Sequence, residues 1–204
     1  MTVVKPTRQL ERKLWAEGFS RVAGVDEVGR GPLAGPVTVA AVILPSRCRV
    51  AGLADSKMMS AARRQAAARQ IRVVAESIGI GWASSQEIDR LGLTAATKLA
   101  GARALQQLGG HELIILDGNH NYFGSEYPVR TCIKADQSCL AVAAASVVAK
   151  VARDSYMALI DRLYPEYFFK LNKGYGTVMH RQALAQHGAT PYHRRSWRSV
   201  HVNG

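Results

Sequence analysis

Polar and apolar positions sort this chain into β-type runs that cluster early and helix-type runs that dominate later. Residues 21–26 and 37–44, the second reading Val-Thr-Val-Ala-Ala-Val-Ile-Leu, are rich in β-branched side chains and bounded by Gly and Pro. They predict two strands, the second ended by Pro45. Residues 78–84, 111–116 and 129–134 predict three more. Helices are predicted over 8–17, capped by Thr7 and stopped by Gly18, over 61–77, capped by Ser60, and from a Thr94 cap to Leu108. Residues 138–152 are apolar nearly all round, which predicts a buried helix, and a further helix covers 154–163. The last helix starts at Thr177 and closes at Gly188. The order predicts an α/β protein: a mixed β-sheet flanked by helices, with a small helical C-terminal appendage. Residues 1–165 form the core and 166–204 a helical, basic segment of the same continuous unit.

A length of 204 residues suits one domain with a real core. The first eighteen residues carry charges where a signal peptide would carry its apolar stretch, and no apolar run nears the roughly 20 residues of a membrane span. A cytoplasmic protein without a membrane partner is expected. Cys48, Cys132 and Cys139 are odd in number and lack paired-ligand spacing, so neither a disulfide framework nor a zinc site is indicated. His180 and His187, seven apart on the last helix, are expected at the surface. Lys and Arg total 27 against 15 Asp and Glu, a net charge of +12. That excess predicts a polyanionic partner bound in a salt-sensitive way, against the plainer reading of a basic protein with no such ligand.

The chemistry concentrates where strands end. Residues 21–26 deliver Asp26 and Glu27 directly into Gly29-Arg30-Gly31. Buried carboxylates are costly unless a cation meets them. A glycine-flanked arginine lets backbone N–H groups approach a phosphate or sugar and adds forked donors. Asp117 ends the strand at 112–116, and Asp136 precedes the buried helix. Singly, Asp136 reads equally as a helix cap and Asp117-Gly118 as a turn. Together with Asp26 and Glu27 they set four negative charges near one site, which calls for hard divalent cations such as Mg²⁺ or Mn²⁺. Neighbours on a strand point to opposite faces, so how Glu27 joins Asp26 is left open.

Residues 24–36, Gly-Val-Asp-Glu-Val-Gly-Arg-Gly-Pro-Leu-Ala-Gly-Pro, resemble the opening signature of ribonuclease HII, the bacterial type 2 ribonuclease H. Asp55-Ser56-Lys57, Glu87-Ile88-Asp89-Arg90, Leu116-Asp117-Gly118-Asn119, the run from Ala143 to Asp154, Lys173-Gly174-Tyr175-Gly176-Thr177 and His193-Arg194-Arg195-Ser196-Trp197 resemble its later motifs in order. Ala135 stands where the family usually has Gly, and Cys139 where it usually has Ser.

The resemblance implies a ribonuclease H-like fold and hydrolysis of the RNA strand of RNA–DNA hybrids. It also implies incision 5′ of single ribonucleotides in duplex DNA, leaving 3′-hydroxyl and 5′-phosphate ends. Asp26, Glu27, Asp117 and Asp136 would be catalytic, holding two Mg²⁺ or Mn²⁺ ions roughly 3.5–4 Å apart. Gly29, Arg30, Gly31 and Tyr175 would read the ribose hydroxyl and the adjoining sugar. Ser56, Lys57, Lys150, Arg153, Arg194 and Arg195 are candidates for substrate contacts or supporting hydrogen bonds, the last two with Arg198 reaching duplex phosphate. A monomer is expected, and contact with a replication clamp is left open. Rival readings are a hybrid-binding protein without turnover and another nuclease of the same broad fold.

Overall fold

The computed structural model describes residues 6–53, 56 and 59–200, so Asp55 and Lys57 lie outside the described residues. Its chain runs α1 (Gln9–Ala16), β1 (Val22–Val28), β2 (Val37–Ile43), α2 (Ala61–Val74), β3 (Ser77–Ala83), α3 (Ser85–Leu91), α4 (Leu93–Gln106), β4 (Leu113–Asp117) and β5 (Val129–Cys132). It continues through α5 (Ala135–Ser138), α6 (Leu140–Ile160), α7 (Phe169–Asn172) and α8 (Val178–His187), with 3-10 turns at Pro165–Tyr167 and Arg198–Val200.

One sheet, ordered β3-β2-β1-β4-β5, is antiparallel on its β3-β2-β1 side and parallel on its β1-β4-β5 side. Val25 lies beside Leu116, so Asp26 and Asp117 emerge together at the ends of adjacent parallel strands. Side chains alternate between the faces of this sheet. Val22, Ala40, Val42 and Ile115 pack toward α6, α2 and α1, while Ala23, Val25, Val39, Ile114 and Leu116 pack toward α3, α4 and the loop after β4. Small residues allow the layers to close: a Cβ on Gly24 would overlap the backbone of Ala141 and Val142, and one on Gly81 would overlap Ala100 of α4.

Several expected boundaries move for identifiable reasons. Helix α2 stops at Val74 because Ala75 turns extended and the chain enters β3 at Ser77. The segments expected as two helices over 138–152 and 154–163 form one, α6, of 21 residues. Arg153 does not break it, because its guanidinium turns inward onto backbone carbonyls, and Lys150 pairs with Asp154 at 2.8 Å one turn on. Arg8, not Thr7, occupies the N-cap position of α1, while the Thr7 hydroxyl accepts from the Gln9 N–H at 3.4 Å and its backbone bridges to Cys139. Cys139 offers α6 no side-chain cap, and Glu11 of α1 substitutes by accepting from the Ala141 N–H at 2.9 Å. Helix α4 begins at Leu93 behind Gly92 rather than at a Thr94 cap. Helix α3 covers Glu87-Ile88-Asp89-Arg90, which the resemblance places in a helix region; Ser84 and Glu87 form a reciprocal capping box at its start.

Residues after α6 fold back onto the 33–36 loop. Leu33, Ala34, Met157, Ile160, Tyr167, Phe169, Ala183, Leu184 and Val200 share one apolar cluster. Asp89 of α3 accepts from the Arg195 and Ser196 backbone N–H groups, each at 2.9 Å, which ties the tail to the core. His180, expected at the surface, is instead fully buried with His193, their Nε2 atoms 2.9 Å apart.

The surrounding donors fix both histidine tautomers. His180 Nδ1 faces the Tyr175 carbonyl at 2.8 Å and must donate, which leaves its Nε2 as an acceptor. His193 then donates from Nε2 and accepts at Nδ1 from the Thr190 N–H at 3.0 Å. Burial, then the neighbouring imidazole, lowers His193 from 6.5 to about 4, and burial also lowers His180. A lowered histidine contributes stability above its unfolded value that is lost as pH falls toward the folded value. Hydrogen-exchange protection of the Thr190 amide should therefore fall relative to that of β2 between pH 6.5 and about 4; identical pH profiles at both places would contradict the pairing.

Candidate active site

Asp26 and Glu27 lie at the end of β1, Asp117 at the end of β4, and Asp136 in the first turn of α5. Asp26 is 8% exposed and Asp136 4%. Asp26 Oδ1 accepts from the Glu27 N–H at 2.8 Å, and the Ser146 hydroxyl of α6 lies near enough to favour its charged form. Ser146 is in turn held by Ser56, 2.9 Å between hydroxyl oxygens. Ser56 is thus a buried group that supports Ser146, the hydrogen-bonding role among those expected of it. Asp117 Oδ1 accepts from the Ala135 N–H at 2.7 Å, which places Asp136 beside the strand ends.

The acids feel one another. Burial raises Asp26 well above the ordinary carboxylate value, and the charges of Glu27, Asp117 and Asp136 push it the same way. Burial also raises Glu27, with Arg30 opposing at 3.4 Å. Among the described residues, no three such side chains close into a ready-made ligand group. The carboxylates lean on backbone N–H groups and Arg30 instead. The set still fits a hard cation: every donor is a carboxylate oxygen, and Glu27 Oε2 is buried with no hydrogen-bond partner.

Beside the acids stands a loop built on two buried arginines. Arg194 donates to the carbonyls of Gly29, Arg30 (2.8 Å) and Gly35 (3.0 and 3.1 Å). Arg153 donates to Pro36 (2.9 Å), Ala34 (3.2 Å) and Lys173 (2.9 Å). Gly29 has φ +90°, and a Cβ there would overlap the Arg153 side chain. The Leu33 N–H reaches the Gly174 carbonyl at 2.8 Å, so the loop carries the Tyr175 turn with it. The Tyr175 ring, 46% exposed, lies 3.5 Å from where a Cβ on Gly31 would sit.

Two expectations change here. Arg153 and Arg194 are both 0% exposed, so neither touches a phosphate. Burial lowers them to about 10 and about 9, values that leave both charged at neutral pH. They form the cationic floor of the loop. Arg195 and Arg198 remain at the surface, and Lys150 is spoken for by Asp154. Nothing in the sequence distinguishes Arg194 from Arg195; only the fold turns one in and the other out.

Acids at strand ends beside a glycine-arginine loop and an exposed tyrosine, on a mixed five-stranded sheet flanked by helices, match a ribonuclease H-like hydrolase. A solved structure of the PCNA:RNase HII complex from Archaeoglobus fulgidus shares the fold, with a TM-score of 0.74 and 25% identity over 87% of this chain and 95% of that one. So does Bst-RNase HIII in complex with Mn²⁺, at 0.71 and 20% over 88% of this chain and 68% of that one. Ribonuclease HII of Streptomyces avermitilis is 51% identical over 194 residues, 94% of this chain and 83% of that protein. The ribonuclease HII family profile matches residues 23–200, and the chain belongs to that family. It is a metal-dependent ribonuclease H, an endoribonuclease acting on RNA–DNA hybrids.

Two outcomes follow from these geometries. A carboxyl raised on folding contributes stability below its unfolded value that is lost as pH rises through the folded value. Asp26→Asn should therefore raise the metal-free melting temperature at pH 7 while abolishing stabilisation by added Mn²⁺; a lower metal-free value would contradict the strained cluster. Arg194→Ala orphans the carbonyls it holds and should cost at least about 3 kcal/mol in denaturant melts. Arg195→Ala should leave folding intact and reduce the salt dependence of duplex binding. Equal effects of the two substitutions on folding would contradict the assignment.

Proposed function

We propose that the chain, beyond acting on hybrids, incises duplex DNA 5′ of single embedded ribonucleotides by two-ion hydrolysis, leaving 3′-hydroxyl and 5′-phosphate ends. The observation that supports this reading is the electrostatic coupling of Asp26 to Glu27, Asp117 and Asp136 at the β1 and β4 ends, on the chain that also carries the Gly29–Gly31 loop packed against Tyr175. Asp26, Glu27, Asp117 and Asp136 would hold two divalent cations, Mg²⁺ or Mn²⁺. When bound, such ions activate the attacking water and stabilise the leaving oxygen. The chain's own part is positional. Gly29 and Gly31 let the backbone close on the ribose 2′-hydroxyl, the group that separates RNA from DNA. Arg30, partly exposed, grips the adjoining phosphate. Tyr175 presents its ring to the next sugar. Arg153 and Arg194 hold that surface from behind and bias its potential positive.

The segment from 166 onward is read as the substrate-facing appendage of a single unit, with Arg195 and Arg198 beside duplex phosphate. Lys150 and Asp154 sit on α6 near the same rim as a support for the backbone path. The protein is read as a monomer acting on hybrid and ribonucleotide-containing duplex. Among the described residues no helix is long and apolar enough to cross a membrane. The reading carries a cytoplasmic location, where chromosomal DNA would be met.

A 5′-DNA–rN–DNA-3′ duplex with Mg²⁺ or Mn²⁺ tests the proposal. Wild type should cut once, 5′ of the ribonucleotide, and Asp117→Asn should bind without cutting. Tyr175→Ala should lower junction incision more than cutting within a long hybrid. Folded, metal-supplied wild type that binds without turnover would reject the reading in favour of a binding protein; cutting of all-DNA duplex would favour a different nuclease.

A further inference from the structure

Consecutive residues Asp26 and Glu27 leave β1 on opposite faces of the sheet. Asp26 shares the face of Gly24, which looks onto Ala141 and Val142 of α6, and it meets Ser146 there. Glu27 shares the face of Val25, whose cluster contains Tyr122 and Phe123. The acid pair is therefore split by the sheet, and Glu27 needs its own support.

Two buried polar atoms without a hydrogen-bond partner among the described residues, Glu27 Oε2 and Tyr122 Oη, belong to side chains near enough to influence each other's charge. The phenol is near enough to Glu27 to favour its charged form, yet the contact falls outside hydrogen-bond geometry. Tyr122 is 5% exposed and its ring is confined, 4.7 Å from the Phe123 ring and 3.5 Å from where a Cβ on Gly101 of α4 would stand. Burial and the Glu27 and Asp26 charges keep the phenol protonated, so it remains a donor. On the other side Glu27 Oε1 faces the Arg30 guanidinium at 3.4 Å.

We propose that Tyr122 is the positioning residue for Glu27, its hydroxyl the donor that steadies the otherwise unpartnered Oε2 from the α4 side while Arg30 holds Oε1. This rests on the reading of Glu27 as a cation ligand. The loop after β4 then serves the site twice, through Asp117 at its start and Tyr122 within it. Positioning partners of metal-binding carboxylates characteristically affect cation affinity as strongly as they affect turnover.

Tyr122→Phe removes only the hydroxyl, and a buried hydroxyl without a partner contributes nothing to folding. The variant's metal-free melting temperature should be unchanged or raised. Calorimetric titration of the full chain with Mn²⁺ alone should show affinity about 10-fold weaker than wild type. On the ribonucleotide-containing duplex kcat should fall with KM unchanged. In a Glu27→Gln background, Tyr122→Phe should produce no further loss of Mn²⁺ affinity. Wild-type Mn²⁺ affinity in Tyr122→Phe, or an equal loss in both backgrounds, would overturn the proposal. Wild type that binds Mn²⁺ but fails to cut the duplex would instead overturn the functional reading, and the Mn²⁺ titrations would still decide the role of Tyr122.

Discussion

Two guanidinium groups with no carboxylate in contact among the described residues hold the 29–36 loop together. Arg153 comes from the middle of α6 and Arg194 from the C-terminal tail, and both end on carbonyls of the 29–36 loop. A buried cation is expensive to desolvate, and its cost is met only while those carbonyls stay converged on it. The loop conformation and the arginine burial thus depend on each other. Gly29 at positive φ, with no room for a Cβ, is the local condition that lets them meet. Through Lys173 and Gly174 the same network sets Tyr175 beside Gly31, so the position of this exposed ring follows from a packing constraint.

Opposite that cationic floor lies a cluster of the other sign, and it is under strain. Burial and mutual repulsion both raise Asp26, and Glu27 keeps an oxygen without a partner. The carboxylates turn to backbone N–H groups, to Ser146 and to Arg30, and do not gather. Charged groups held together in this way are characteristic of sites where function is favoured over stability. The arrangement also explains why the acids are coupled electrostatically without forming a closed ligand group among the described residues.

Much of the architecture was legible because local signals agreed with the global result. β-Branched runs at 21–26 and 37–44 became β1 and β2, and the all-round apolar run from 138 became the buried α6. The misreadings share a cause. Arg153-Asp154 looked like a helix boundary, since a charged pair normally faces water; here the arginine is bonded to the 34–36 carbonyls from 117 and 119 residues away. His180 looked like a surface residue on a polar helix, until its partner His193 closed over it. Helix α3 carried a readable signal in Ser84-x-x-Glu87, and its reciprocal bonds were there to be inferred.

Local pattern was enough to place the five strands and most of the helices, to show that the chain is basic enough to meet a polyanion, and to set Asp26, Glu27 and Asp117 near strand ends. Those properties depend on side-chain type and short-range periodicity. Which arginines are buried, which histidines pair and which segments close over the two faces of β1 came only with the tertiary fold. Each of these joins residues far apart in the chain, and burial, unlike periodicity, exists only once the distant segments have met.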